Sequence, residues 1–500
     1  MKKIISVLLV AFYAFACSED FLKEDPKGQL TSDGFCKNKA ELDMALTAMY
    51  KALSQTNYSE ESTALFCGAD DLTTRPGSNK EKLRDYDMFI QSKDANECNV
   101  NCWGYFYSLI SCANFIINNY ELAVDETQEV RDQAAGQAYC LRAWAYFMIT
   151  RLWKDIPLVT TNVADKNIAK TPTADVYNLI VEDLKKAEVM LPDTWPDGSR
   201  EAGVAVTKGT AKSVLASVYL HMAGYPVNDA SGYALAAQKA KEVLDNAGAY
   251  GYRLLDTYQE LWLDNQKHDE LVLGAFFNPS TDDPNYRAPM MGQPGDDGEG
   301  WDEYFSEINF FNAFPAGPRK DATFQTKMMT SKDVFVPWQE CAMKHPYYMK
   351  MRYANGSNPD NLYDHYDNPY YWSYSSNRTA QIMRFAEVKL IYAEAQAMSA
   401  SPDASAYKEI NEVRQRAGLP DLTPGLSQTA FRDSVVMERA WEFAGPEQGQ
   451  RWFDLVRLER VEQANSNRHE WELPLVNQPS KEYYFTTIPF NEKQINPNLN

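Results

Sequence analysis

Apolar positions three and four residues apart dominate the middle of the chain. Over 127–153 they form two stripes: Ala134, Ala138, Leu141, Ala145, Met148 and Leu152, then Ala135, Tyr139, Tyr146, Ile149 and Trp153. Side chains at these steps share a helix face, and two such faces predict a helix buried on more than one side. Further helices are predicted over 171–193, with Thr171 or Thr173 as cap and Pro192 as stop, over 206–225, and over 233–248, ended by Asn246 and Gly248. They are short, rich in Ala and separated by brief loops. This is the texture of tetratricopeptide-type helical hairpins, although no 34-residue period is present. Amphipathic helices return over 386–400, 404–419 and 427–445, with Gly418 and Gly445 as stops. The pattern predicts a mainly α fold on a hairpin scaffold, with long irregular loops and a small amount of β.

Between these blocks the periodicity disappears. Residues 277–301 are rich in Pro, Gly and Asp, and 355–378 are similar but crowded with Tyr. Loops this long are usually functional or disordered. Disordered chain is poor in aromatics, and these stretches are rich in them. Two short runs, 347–353 and 379–385, are expected to pair as a small antiparallel sheet.

The first residues follow a different rule. Lys2 and Lys3 precede an unbroken apolar run, 4–16, which is shorter than the roughly 20 residues a membrane span needs but suits the core of a signal peptide. Ala14 and Ala16 precede Cys17, and the stretch resembles a bacterial lipobox. That resemblance implies cleavage before Cys17 and lipidation of the cysteine, where several acyl chains hold firmly. A plain secretory signal is the alternative. Residues 17–30 then read as a lipid-anchored tether. The acidic residues just after Cys17 resemble surface-export signals of Gram-negative lipoproteins, which implies an outer-membrane protein facing the outside of the cell.

Composition narrows the partners. The net charge is −20, and losing residues 1–16 with Lys2 and Lys3 makes it −22. Such a field repels phosphate backbones, so nucleic acid is excluded as a partner. Aromatics make up 13% of the chain, with 30 Tyr, 23 Phe and 11 Trp, more than packing alone requires. Without Cys17 seven cysteines remain, an odd number that argues against a complete disulfide framework. Cys98 and Cys102 are spaced to face one way on a helix, but no CxxC pair exists and the five histidines are scattered, so the cysteines read as small buried apolar residues, with room for one disulfide among them. Asp296, Asp297 and Glu299 could chelate calcium, but they lack EF-hand spacing. No cofactor or resident metal is expected.

Residues 438–460 are dense in charge. Arg451, Asp454 and Arg457 lie three apart and can alternate in sign along one helix face, with Trp452, Leu455 and Val456 toward the core. Glu438 and Glu442 are the expected partners of those arginines, in a structural ion-pair network. These stretches bring the chain close to a known family. "FLKEDPKG", "LRAWAYFMITRLWKDIPLV" (141–159), "IVEDLKKAEVMLP" (180–192), "VTKGTAKSVLASVYL" (206–220), "RFAEVKLIYAEAQA" (384–397), "INEVRQRAG" (410–418) and "RWFDLVR" (451–457) occur in an order that resembles the SusD/RagB family of outer-membrane lipoproteins. The family usually has Gly before its Asp-hydrophobe-Pro step, where this chain has Lys154.

The resemblance covers nearly the whole mature chain, read as one domain over 31–500 with an N-terminal part (31–270) and a ligand-face part (271–500). It implies a non-enzymatic role. Such proteins capture oligosaccharides, or peptides in some members, and lie as a lid over a SusC-like TonB-dependent transporter. A sugar ring has a C–H face that an aromatic plane covers and a rim of hydroxyls that polar side chains bond. The candidate aromatics are Tyr286, Trp301, Tyr304, Trp338, Tyr371, Trp372 and Tyr374. The candidate polar partners are Asp70, Asp71, Arg75, Asn99 and Asn101. Trp103 and Tyr107, four apart on an apolar helix, read as core. The rival readings are a surface glycoside hydrolase, which needs two carboxylates about 5–10 Å apart across a cleft, and a structural surface-layer protein. No HExxH, GxSxG or Walker signature is present.

Overall fold

The computed structural model describes residues 35–57, 60–90, 94–162, 165–262, 267–278, 285–292, 300–331, 334–350, 377–445, 447 and 449–500. The expectations for Cys17, the tether, Asp296, Asp297, Glu299, Tyr371, Trp372 and Tyr374 fall outside these residues. Ten described helices have eight residues or more: α1 (Lys39–Gln55), α2 (Glu97–Asn119), α3 (Gln128–Trp153), α4 (Thr173–Met190), α5 (Lys208–Met222), α6 (Ser231–Asp245), α7 (Phe385–Ser399), α8 (Ala404–Arg416), α9 (Gln428–Glu442) and α10 (Gln450–Arg457). Each of α1 to α6 packs on the next, and α7 continues the row against α6 before receiving α8 and α9. The row therefore closes across a long intervening stretch of sequence, which carries most of the strands. Among the described residues no helix is long and apolar enough to cross a membrane.

The helix ends follow local chemistry. Thr127 caps α3 by accepting from Val130 N, and Thr207 forms a capping box with Thr210 at α5. Asp403 and Ser427 cap α8 and α9. The start of α4 differs from expectation. Neither Thr171 nor Thr173 caps it; Pro172 precedes the first turn, and Asp155 Oδ1 accepts from Thr173 N at 2.8 Å and from its hydroxyl at 2.9 Å. A carboxylate from the α3–α4 connection thus takes over the role of a local cap. From Ala134 onward α3 is buried almost all round, as its two stripes require, and Trp103 is core. Six of the seven described cysteines are buried, and none of the seven is bridged.

Lys154, just after α3, has φ 68° and ψ −104°. A side chain at such a φ is strained, which accounts for glycine at this step in the resembled pattern. Lys154→Gly is expected to stabilise the fold by about 1 kcal/mol, measured as a higher denaturant midpoint.

Among the described residues the strands form five two-stranded antiparallel ribbons. β1 (Leu72–Thr74) pairs with β5 (Tyr304–Ser306), β2 (Ile156–Pro157) with β3 (Lys170–Thr171), and β4 (Leu271–Ala275) with β10 (Ala380–Arg384). β6 (Phe324–Gln325) pairs with β9 (Tyr347–Tyr348), and β7 (Lys327–Ser331) with β8 (Val334–Pro337). The expected pairing of 347–353 with 379–385 is therefore corrected: each run joins a strand from elsewhere, β6 and β4 respectively.

Beneath the C-terminal helices lies a buried charge network. Arg384, which ends β10, donates to Glu270 at 2.8 Å, Glu442 at 2.7 Å and Glu447 at 2.9 Å. Arg416 donates to Glu270 at 2.8 Å and to Glu442 at 2.5 Å, while Arg319 spans Glu438 and Glu442. A second group joins Arg439 and Arg457 to Glu394 and Asp454. The network is present as predicted, but its pairing is not. Glu438 and Glu442 bond Arg319, Arg384, Arg414 and Arg416, whereas Arg451 leaves the group for Asp70.

Candidate functional site

The site is assembled around β1 and β5. Their register sets Thr74 opposite Tyr304. β1 runs on into Arg75, and the segment that contains Trp301 leads into β5. Lys80 and Glu303 close this end as an ion pair. A second segment is laced on by backbone bonds: Glu303 N donates to Met290 O and Asp302 N to Gly292 O, both at 3.0 Å. That lacing sets Tyr286 on Trp301, with ring centroids 5.9 Å apart and planes at 28°. Both rings are half-buried and rest on the main core. The outcome is a stacked aromatic pair just before β5, with Arg75 directly following β1, the strand paired with β5. Arg75 is half-buried and makes no ion pair among the described residues, and its carbonyl accepts from Arg84 Nη1 at 3.4 Å.

Asp70 and Asp71 support this ribbon from below. Both oxygens of Asp70 accept from Arg451, at 2.6 and 2.7 Å. Asp71 is buried, and its Oδ2 accepts from Gly445 N at 2.7 Å. Gly445 has φ 79°, and a Cβ there would lie 2.7 Å from the ring of Tyr348. Only glycine lets the turn after α9 come this close. Tyr348 in turn donates its hydroxyl to Asp71 O.

Several of the other candidates are engaged with neighbouring residues. Asp71 is enclosed, and Asp70 is held at both oxygens. Asn99 is fully buried, donating to Thr487 O and accepting from Trp153 Nε1. Tyr304 lies inside the main core, because its strand turns that side chain inward. Trp338 is buried in a smaller cluster with Phe305 and Tyr347. Asn101 is half-buried and reaches Glu61 at 3.3 Å. Of the described candidates, Tyr286 and Trp301 are the pair that the fold brings into contact. The sequence reading missed Lys80 and Glu303, whose pairing across 223 positions has no local signal. Among the described residues no cluster of His, Cys, Asp and Glu is arranged to hold a metal.

Burial sets the titration of the carboxyls nearby. It pushes Asp71 up to about 7, helped by the charge of Asp70 and opposed by Gly445 N–H and Arg451. It raises Glu387 to about 7 against Arg439 and Arg151, and Glu307 to about 7 together with the charge of Glu472. A carboxyl with a raised folded pKa binds its proton more tightly in the folded state, so its contribution is present at low pH and lost as pH rises through about 7. Glu442 is the opposite case. Burial would raise it, but Arg416, Arg384 and Arg319 hold it down to about 2, so its contribution is lost as pH falls from 4.5 toward 2. The melting temperature is expected to rise between pH 8 and pH 5 and to fall below pH 4.5, which a calorimetric pH series measures.

The family model described as "SusD family" matches residues 343–500, and the one described as "Starch-binding associating with outer membrane" matches 20–220. "SusD-like protein P2" of Formosa agariphila is 27% identical over 492 residues, covering 92% of this chain and 91% of its own. The chain belongs to the SusD-like family. A SusD superfamily protein from Parabacteroides distasonis shares its fold at TM-score 0.76 and 21% identity, over 94% of this chain and 99% of the other. A laminarin-binding SusD-like protein does so at 0.73 and 23%, over 92% and 98%. In this SusD-like protein the β1–β5 ribbon and the stacked pair are the features that a ligand face can be built on.

Proposed function

We propose that this SusD-like protein is a lipid-anchored outer-membrane protein on the cell surface, which captures oligosaccharide without cutting it and passes it to a SusC-like TonB-dependent transporter. The observation that carries the reading is the Tyr286–Trp301 stack, a flat apolar plane, and Arg75, which follows the strand paired with β5, is the proposed polar partner. Such a plane suits the C–H face of a pyranose, and the guanidinium donates to hydroxyls. The name of the second matching family and the laminarin-binding relative of the same fold support a glycan ligand.

The carboxylates around the pair favour capture over hydrolysis. A glycosidase needs one acid and one base or nucleophile facing a shared cleft. Asp70 is bound at both oxygens by Arg451, and Glu303 is paired with Lys80. Asp71 has the raised pKa of a general acid, but it is sealed beneath Gly445. Titration calorimetry with soluble starch, laminarin and other glycans, followed by reducing-end assay, tests this. Saturable binding with no new reducing ends is expected, and turnover overturns the reading. Cys17→Ala is expected to move the protein from the membrane to the soluble fraction; sedimentation of the variant with membranes contradicts the anchor.

A further inference from the structure

Of the ten described tryptophans only Trp471 is exposed, at 41%. An indole two-fifths exposed leaves part of one of the largest hydrophobic contributions a side chain makes unused. Its support is rigid. Trp338 and His469 meet the ring edge-on, with centroids 6.2 and 5.2 Å away and planes at 78° and 75°. Trp471 N donates to His469 Nδ1 at 3.2 Å. The next residue, Glu472, is buried, accepts from Ile308 N at 2.9 Å and pairs with His345 Nε2 at 3.2 Å. Lys344 brings its ammonium to 5.3 Å from the indole centroid, from a backbone with φ 55° that side chains rarely adopt.

We propose that Trp471 is a second glycan-contact platform, which holds a pyranose unit of a polymer apart from the Tyr286–Trp301 pair. The proposal rests on the glycan-capture reading and extends it from one contact to two. The indole is held by its neighbours before any ligand arrives, so little ordering cost remains. Lys344 stands ready to donate to ring hydroxyls. The exposed neighbours Asn467 and Glu470 are polar, and a single ring in polar surroundings is far short of the roughly 1,000 Å² that a stable protein interface buries. The two platforms have different foundations. Tyr286 and Trp301 rest on the main core with Tyr304, whereas Trp471 stands on Trp338 in the smaller cluster that takes Phe305. Successive residues of β5 therefore support opposite sides. A chain long enough to engage both gains avidity that a short oligosaccharide does not.

The test uses the wild-type protein and Trp471→Ala, with the polysaccharide retained most strongly among soluble starch, laminarin and xyloglucan, and with its hexasaccharide. Mobility in polysaccharide gels is expected to show about tenfold weaker polymer retention for Trp471→Ala, with hexasaccharide affinity within about twofold of wild type. Hydroxyl-radical footprinting of the wild-type protein is expected to show polymer protecting the Trp471 peptide from oxidation, a readout independent of how the variant folds. Unchanged retention together with an unprotected Trp471 overturns the second platform while the capture reading stands. A wild-type protein that retains no polymer and binds no hexasaccharide overturns both.

Discussion

Arg384→Met is expected to lower the stability of the protein by about 3–5 kcal/mol, the cost of breaking a buried ion group by removing one partner. Arg384 is 1% exposed and is the cation shared by Glu270, Glu442 and Glu447. Methionine fills similar space but leaves three enclosed carboxylates facing each other. Arg416 and Arg319 still reach Glu442, and Lys350 still reaches Glu447, so the loss stays within that range. The same arginine also bonds Glu442 O at 2.9 Å and lies 4.4 Å from the centroid of the Phe443 ring, which ties the end of α9 to β10. Urea unfolding of wild type and variant measures the effect. Lys241→Ala, which breaks an exposed i,i+4 pair with Asp245, should shift stability far less, because solvent screens such pairs. Equal small shifts for both variants would show that the buried network does not hold the C-terminal half together.

Trp301→Ala is expected to weaken glycan binding about 10- to 100-fold, equivalent to about 1.4–2.8 kcal/mol. The variant removes one plane of the stacked pair and leaves Tyr286 without the ring that orients it. Because Trp301 also rests on the main core, a melting curve is read beside the titration; the affinity loss should persist at temperatures where the variant is folded. Tyr286→Ala carries the same expectation. So does Trp372→Ala, at a site proposed from the sequence and outside the described residues. Wild-type affinity in both Trp301→Ala and Tyr286→Ala would remove this pair from the ligand face.

The helices were legible because their signals are local. The stripes of α3 and the Gly418 stop after α8 lie within a few residues of the turns they govern, whereas the threonine cap expected at α4 did not form. Partners distant in sequence were not legible. Arg451 reads naturally as part of a ladder with Asp454 and Arg457, yet its carboxylate is Asp70, 381 positions away. Composition pointed to aromatics and carboxylates in the loops, but it does not say which way a short strand faces. The three residues of β5 lie in an aperiodic region, and their pairing with β1 turned Tyr304 into the core and left Trp301 at the edge. Asn99 and Asp71 show the same limit. Polar residues near a predicted ligand face can equally well satisfy buried backbone, as these two do at Thr487 and Gly445.

Glycan capture as proposed requires that an intact sugar chain rest on the Tyr286–Trp301 plane. A crystal soaked with the hexasaccharide of the best-retained polysaccharide tests it most directly. The expected density is an uncut oligosaccharide with one pyranose stacked on that pair and Arg75 within hydrogen-bonding distance of its hydroxyls. A cleaved product, or a sugar bound elsewhere while the pair stands bare, would contradict it.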